Sequence, residues 1–136
     1  MNRIYSKVQP GKILLAISRG SSVSEERTDL SPEEEYLQVS TKILPKGKTF
    51  RPHKHNELIR NTDLTQEAWV FLSGKVKATF WDLDDTVIYE TQLTDGDIVV
   101  VFRGGHSFEV LEDNTILYEF KNGPYYGVEK DKTFIK

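Results

Sequence analysis

The chain has 136 residues, a net charge of −3 and 38% hydrophobic residues, enough apolar material for one closed core and too much for a disordered chain. Its basic residues are scattered rather than gathered in a stripe, which argues against a nucleic-acid surface. There is no cysteine, so disulfides and thiolate metal sites are excluded and any bound metal must take His, Asp or Glu.

Residues 1–11 include Arg3 and Lys7 but no apolar run, and do not read as a secretory signal. The longest apolar stretches, such as residues 98–102, fall far short of a membrane span. A cytoplasmic protein with no membrane partner is the default expectation. Residues 13–17, Ile-Leu-Leu-Ala-Ile between Gly11 and Gly20, read as a short buried strand. Residues 18–35 are polar and read as a surface connection. Within them, Ser31-Pro32-Glu33-Glu34 has the form of a helix start, an N-cap Ser, a Pro in the first turn and acids behind it.

From Tyr36 the period changes to two. Leu37, Val39, Thr41 and Ile43 alternate with polar neighbours, the pattern of a half-buried strand. Pro45-Lys46-Gly47 ends it, and a further strand is expected over residues 49–55, followed by a polar stretch over 56–66. Strands are then expected over 68–72, 76–81, 87–93, 98–102, 107–111 and 115–121. Ser73-Gly74, Asp82 to Asp85, Thr94 to Asp97 and Glu112 to Asn114 supply the turns between them. Short strands at turn-punctuated intervals, with no long helical pattern among them, predict an all-β sandwich or barrel. The acidic runs Glu33-Glu34-Glu35 and Asp82-Leu83-Asp84-Asp85 read as solvated turns.

His53 and His55 are separated by one residue. On a strand they would project from the same face, and imidazole is the commonest metal-binding side chain. Arg51 shares their parity, and a guanidinium facing the same cavity would bind a carboxylate or phosphate bidentately; the competing reading is that Pro52 breaks the alternation and Arg51 reaches solvent.

The spacing Gly47-KTFRP-His53-Lys-His55, then Glu67-AWVFLS-Gly74, followed by Gly96-Asp97 and His106, resembles the two motifs of the cupin superfamily. Phe80-Trp81-Asp82-Leu83-Asp84-Asp85, Glu119-Phe120-Lys121-Asn122-Gly123-Pro124-Tyr125 and the Lys130-Asp131 segment resemble WbuC-type cupin-fold metalloproteins, a family associated with bacterial surface-polysaccharide biosynthesis. The resemblance implies a cupin-type β-barrel (a double-stranded β-helix or jelly roll) forming one domain over 1–136, with an N-terminal arm to about residue 35, a barrel core over 36–122 and a C-terminal tail over 123–136. It implies a divalent metal, Fe, Mn, Ni or Zn, held by His53, His55, Glu67 and His106. This sequence departs from the motif in having eleven residues between His55 and Glu67, and Glu57 and Asp63 are alternative carboxylate ligands.

Parity with Glu67 points Trp69 and Phe71 inward, and parity with His106 does the same for Phe108 and Val110. Arg51 and Tyr118 are the candidate catalytic groups. The ligand set favours a metalloenzyme of isomerase, epimerase or oxygenase type acting on a small polar substrate such as a sugar or sugar nucleotide. The alternative is a non-catalytic cupin that binds a sugar or another small ligand as an accessory or sensor protein. A homodimer is expected, with residues 13–17 as a candidate apolar edge.

Overall fold

A computed structural model describes the whole chain, Met1–Lys136. It contains ten strands: β1 (Asn2–Tyr5), β2 (Ile13–Ser18), β3 (Thr28–Asp29), β4 (Ser40–Thr41), β5 (Glu67–Ser73), β6 (Lys75–Trp81), β7 (Val87–Thr94), β8 (Ile98–Val101), β9 (Gly105–Val110) and β10 (Ile116–Lys121). A 3-10 turn at Gly20–Ser22 and one short helix, α1 (Val128–Asp131), complete the elements. The fold is almost all β, as the sequence predicts. No helix is long and apolar enough to cross a membrane.

The strands form three antiparallel sheets, of order β1-β2-β8-β5-β10, β3-β4 and β7-β6-β9. Period-two alternation explains how the larger two pack. Leu15 and Ile17 of β2, Trp69 and Phe71 of β5 and Val99 and Val101 of β8 share one core with Val76, Ala78 and Phe80 of β6 and Leu93 of β7. Each large side chain buried there contributes about 1.5–3 kcal/mol. The alternate residues Ala16, Ala68 and Val100 face the other way, joined by Ile13 where the alternation breaks at the start of β2, and are covered by Leu30, Leu37 and Val39. Both faces of β2 are therefore buried, which is why it reads as an unbroken apolar run.

Four features differ from the sequence expectation. Residues 13–17 are not an exposed edge: β2 lies between β1 and β8, and β1 itself has no period-two signal to announce it. The half-buried strand expected over 36–43 shrinks to Ser40–Thr41, because Leu37 and Val39 bury themselves against the outer face of the five-stranded sheet without joining a ladder. The strand expected over 49–55 is absent, and residues 42–65 are exposed throughout and form no strand. The helix start at Ser31 is a turn instead; Ser31 Oγ accepts from Val39 N–H (2.9 Å) and donates to the Leu37 carbonyl (2.7 Å), which folds the chain back on itself. With no strand from 42–65 beside them, β9 and β10 are open sheet edges, and none of the sheets closes into a barrel.

The acidic clusters also divide. Glu33 and Glu34 are exposed, but Glu35 is buried, accepting a bidentate pair from Arg103 Nη2 at 2.8 Å and a third bond from Gln66 Nε2 at 2.6 Å. Asp82 is buried as well. It accepts from Ser6 Oγ (2.6 Å), Lys7 N–H (2.7 Å) and Leu83 N–H (2.7 Å), and so ties the N-terminal hairpin to the end of β6.

Candidate functional site

The site is built where β5 and β9 turn their inward faces toward each other. Along β5, Glu67, Trp69 and Phe71 share a face and all three are buried, as alternation predicts. Along β9, His106 and Phe108 face inward; Val110, predicted to follow them, is exposed at the strand's end. Register fixes the heights. Glu67 pairs with Val101 and Lys121, and His106 pairs with Phe80.

Trp69 is the centre of the wall. Its ring meets His106 edge-on at 5.2 Å and Phe108 edge-on at 5.0 Å, and stacks toward Phe80 at 6.4 Å, geometries favoured by the ring quadrupole. Its indole Nε1–H donates to Glu67 Oε1. The same oxygen lies 3.6 Å from His106 Nε2. These groups line an open cavity of about 950 Å³, bordered also by Arg103, Gly104 and Gly105 and by residues 130–136 of the C-terminal tail.

Both titratable groups are pushed toward their neutral forms. Burial raises the Glu67 carboxyl above its ordinary value, with the Glu119 charge adding to the effect and the Trp69 hydrogen bond opposing it. Burial lowers the His106 imidazole, helped by the positive charge of Lys132 and opposed by Glu119. His106 Nδ1 is buried with no hydrogen-bond partner, an atom with unspent capacity.

The remaining predicted residues lie elsewhere. His53 and His55 are exposed, their rings edge-on at 5.5 Å, with His53 Nδ1 2.9 Å from the Arg51 carbonyl oxygen. They neighbour each other, as predicted, but not on a strand. Arg51 and Glu57 are likewise exposed in the 42–65 segment, so the alternation that aimed Arg51 at the cavity does not apply. Asp63 reaches the cavity rim. Tyr118 is 56% exposed; its neighbour Glu119 lines the cavity instead, because alternation on β10 gives Glu119 the same face as Leu117, which packs on the core. Leu117's apolar parity was the signal available for Glu119. Lys132 and Trp81, which also line the cavity, had no spacing signal.

The donors present fit half of the ion that the resemblance implies. Glu67 and a neutral His106 stand together with the chemistry a divalent metal takes, but no third His, Asp or Glu joins them in a group that could hold one. No protein-family model, curated protein or solved structure matches the chain.

Proposed function

We propose that the chain is a cupin-type metal-binding protein, and that it acts as a metalloenzyme on a small polar substrate such as a sugar or sugar nucleotide, in the setting of bacterial surface-polysaccharide biosynthesis. The observation that carries this reading is the Glu67–His106 pair, 3.6 Å apart beneath the Trp69 and Phe108 wall of a cavity of about 950 Å³, within the size range of a small-molecule site.

The open edge of β9 supports the second half of the ligand set. A strand can add to an unpaired edge, and residues 49–55 carry the alternation to do so. Seated there, His53 and His55 would share one face of that strand. The exposed Phe50 adds an incentive, since burying it is worth about 1.5–3 kcal/mol. A metal held in this way would supply Lewis-acid polarisation of a substrate oxygen. The chain's own part is to hold Glu67 through the Trp69 indole, to keep His106 neutral, and to offer aromatic walls to the apolar face of a ring. The homodimer belongs to the same proposal, with its seat at the open edge of β10, where Ile116, Tyr118 and Phe120 are exposed; a monomer by sedimentation would remove it.

A non-catalytic sugar-binding role is the second reading, favoured by the place of His53 and His55 outside the cavity. Elemental analysis of the full chain beside His106→Ala and a His53→Ala/His55→Ala double variant separates the two. Near-stoichiometric metal in the native chain, lost in both variants, is the expected result, with chelator-sensitive turnover of a sugar nucleotide to follow. No metal in any of the three, even after divalent ions are added back, together with sugar binding that ignores chelator, would replace the first reading with the second.

A further inference from the structure

The C-terminal tail is pinned across the cavity at two points. Before Lys132, the α1 residue Asp131 accepts a hydrogen bond from Thr65 Oγ1 at 2.8 Å, next to the start of β5. After it, Ile135 sits against Gly105 at the start of β9, in space that a Cβ on Gly105 would fill. Lys132 lies between the two pins and lines the cavity with Glu67 and His106, and its charge bears on both of them.

The lining's four basic and four acidic residues balance in number, but they are paired unevenly. Arg103 is spent on Glu35, and Glu119 lies 3.6 Å from Lys121. Asp131 is held by Thr65. Lys130, Lys132 and Lys136 also line the cavity, and none has a carboxylate within salt-bridge reach. Asp63, at the rim, is the one lining carboxylate with neither an ion-pair nor a hydrogen-bond partner to set against them. A cavity with unpaired ammonium groups beside an aromatic wall attracts a ligand that brings its own negative charge.

We infer that the cavity binds an anionic small molecule, one with a carboxylate or phosphate group, and that Lys132, carried on the pinned tail, is the residue that meets this charge. This deepens the proposed small-molecule site and rests on that reading, but it does not depend on the metal. The ligand's uncharged ring lies against Trp69 and Phe108, while its anionic group reaches toward the tail. Specificity for charged over neutral sugars then resides in the tail, outside the β5 and β9 framework.

The test is a titration of chelator-treated full-length protein with glucose 6-phosphate, glucuronate and glucose, read by tryptophan fluorescence. Both tryptophans of the chain, Trp69 and Trp81, line the cavity. Saturable binding of at least one of the two anions, with glucose binding at least about tenfold more weakly, is expected from the worth of one charge-assisted hydrogen bond. The stronger of the two anions tells phosphate from carboxylate. Lys132→Gln should weaken that anion by about tenfold or more, and Lys132→Arg should restore most of the loss; Lys132 is exposed, so neither variant threatens the fold. Equal binding of glucose, no binding of either anion, or an unchanged Lys132→Gln would overturn the inference. Anion binding by a protein that takes up no metal would leave this inference standing and remove the metalloenzyme reading; metal uptake without anion binding would do the reverse.

Discussion

Glu67 Oε1 stands 3.6 Å from His106 Nε2 while also accepting the Trp69 indole proton. One carboxylate oxygen therefore joins the inward faces of both larger sheets, since Glu67 is on β5 and His106 on β9. Neither group is saturated by this contact. His106 keeps an unpartnered Nδ1, and the 3.6 Å separation is longer than a hydrogen bond, so the pair can still receive a third participant.

The acid response of the metal-free protein should show the state of His106. Burial first, and Lys132 second, lower its imidazole from the ordinary 6.5. The unfolded chain then takes up the proton before the folded one as pH falls. The stability tied to neutral His106 is present above 6.5 and is lost as pH drops from there through the folded value. Imidazole titration by nuclear magnetic resonance should give a midpoint below 6.5, and Lys132→Gln should move it back upward. A midpoint at or above 6.5 would show that the ring is not desolvated. Glu67 runs the opposite way: its raised carboxyl favours the folded state in acid, an advantage that fades as pH rises from 4.5 through the folded value.

Removing Asp82 should loosen the N-terminal hairpin. Burial opposes the charge, but hydrogen bonds from Ser6 Oγ and from the backbone of Lys7, Leu83 and Val8 outweigh it and hold the carboxyl below its usual value. Asp82→Ala leaves several donors without an acceptor, a loss on the order of 3 kcal/mol in urea unfolding at neutral pH. The native contribution is present above the ordinary 3.8 and lost as pH falls through the depressed value. The difference between native and variant should therefore shrink in strong acid. A constant difference down to pH about 2 would mean that the charge is not what matters.

Glu35 and Arg103 pose a comparable case. Their side chains are 7% and 12% exposed, with two contacts of 2.8 Å. Breaking a buried pair by removing one partner costs about 3–5 kcal/mol, because it strands the other charge. Glu35→Ala and Arg103→Met should each approach that loss, and the double variant should cost less than the sum of the two. Strict additivity would show that the pair is not coupled.

The difference between Glu33, Glu34 and Glu35 is invisible in a run of three identical residues; only the arrival of Arg103 from a distant part of the chain selects the third. What was legible is local. Ser73-Gly74, the Asp82 to Asp85 cluster and Glu112 to Asn114 mark turns because the backbone there needs unusual conformations, and Gly74, Asp85 and Asn114 all have positive φ, +89°, +64° and +57°. The strands between them, β5 to β10, emerged with boundaries shifted by only one or two residues. Leu37 and Val39 alternate as a strand would, yet burial against a sheet face satisfies the same pattern without a ladder. The site divides in the same way. Alternation placed Glu67, Trp69, His106 and Phe108 because they sit on true strands, whereas Arg51, His53 and His55 were assigned a strand that does not form.

Gly74 allows a direct check on the turn that sets β5 against β6. Its φ of +89° is strained for any L side chain, and a Cβ there would lie 2.8 Å from the Thr115 backbone. Gly74→Ala should cost about 2 kcal/mol or more, measured by urea unfolding. A neutral result would mean that the β5–β6 and β9–β10 turns are not packed together.

The exposed segment over residues 42–65 should govern proteolysis. Its backbone donates only three bonds, Ile43 N–H to the Glu25 carbonyl, Lys48 N–H to the Pro45 carbonyl and Leu64 N–H to Thr62 Oγ1, so a protease can bind it in extended form without unfolding the sheets. Trypsin should cut first after Lys46, Lys48, Lys54 or Arg60, leaving residues 67–121 intact. If His53 and His55 join Glu67 and His106 around a metal, adding the divalent ion should slow cutting after Lys54 by about tenfold or more, because cleavage then waits for the strand to leave the β9 edge. The same addition should do nothing to a His106→Ala variant. Early cuts within β5 to β10 would contradict the packing described here, and metal protection that persists in His106→Ala would place the ion on the exposed histidines alone.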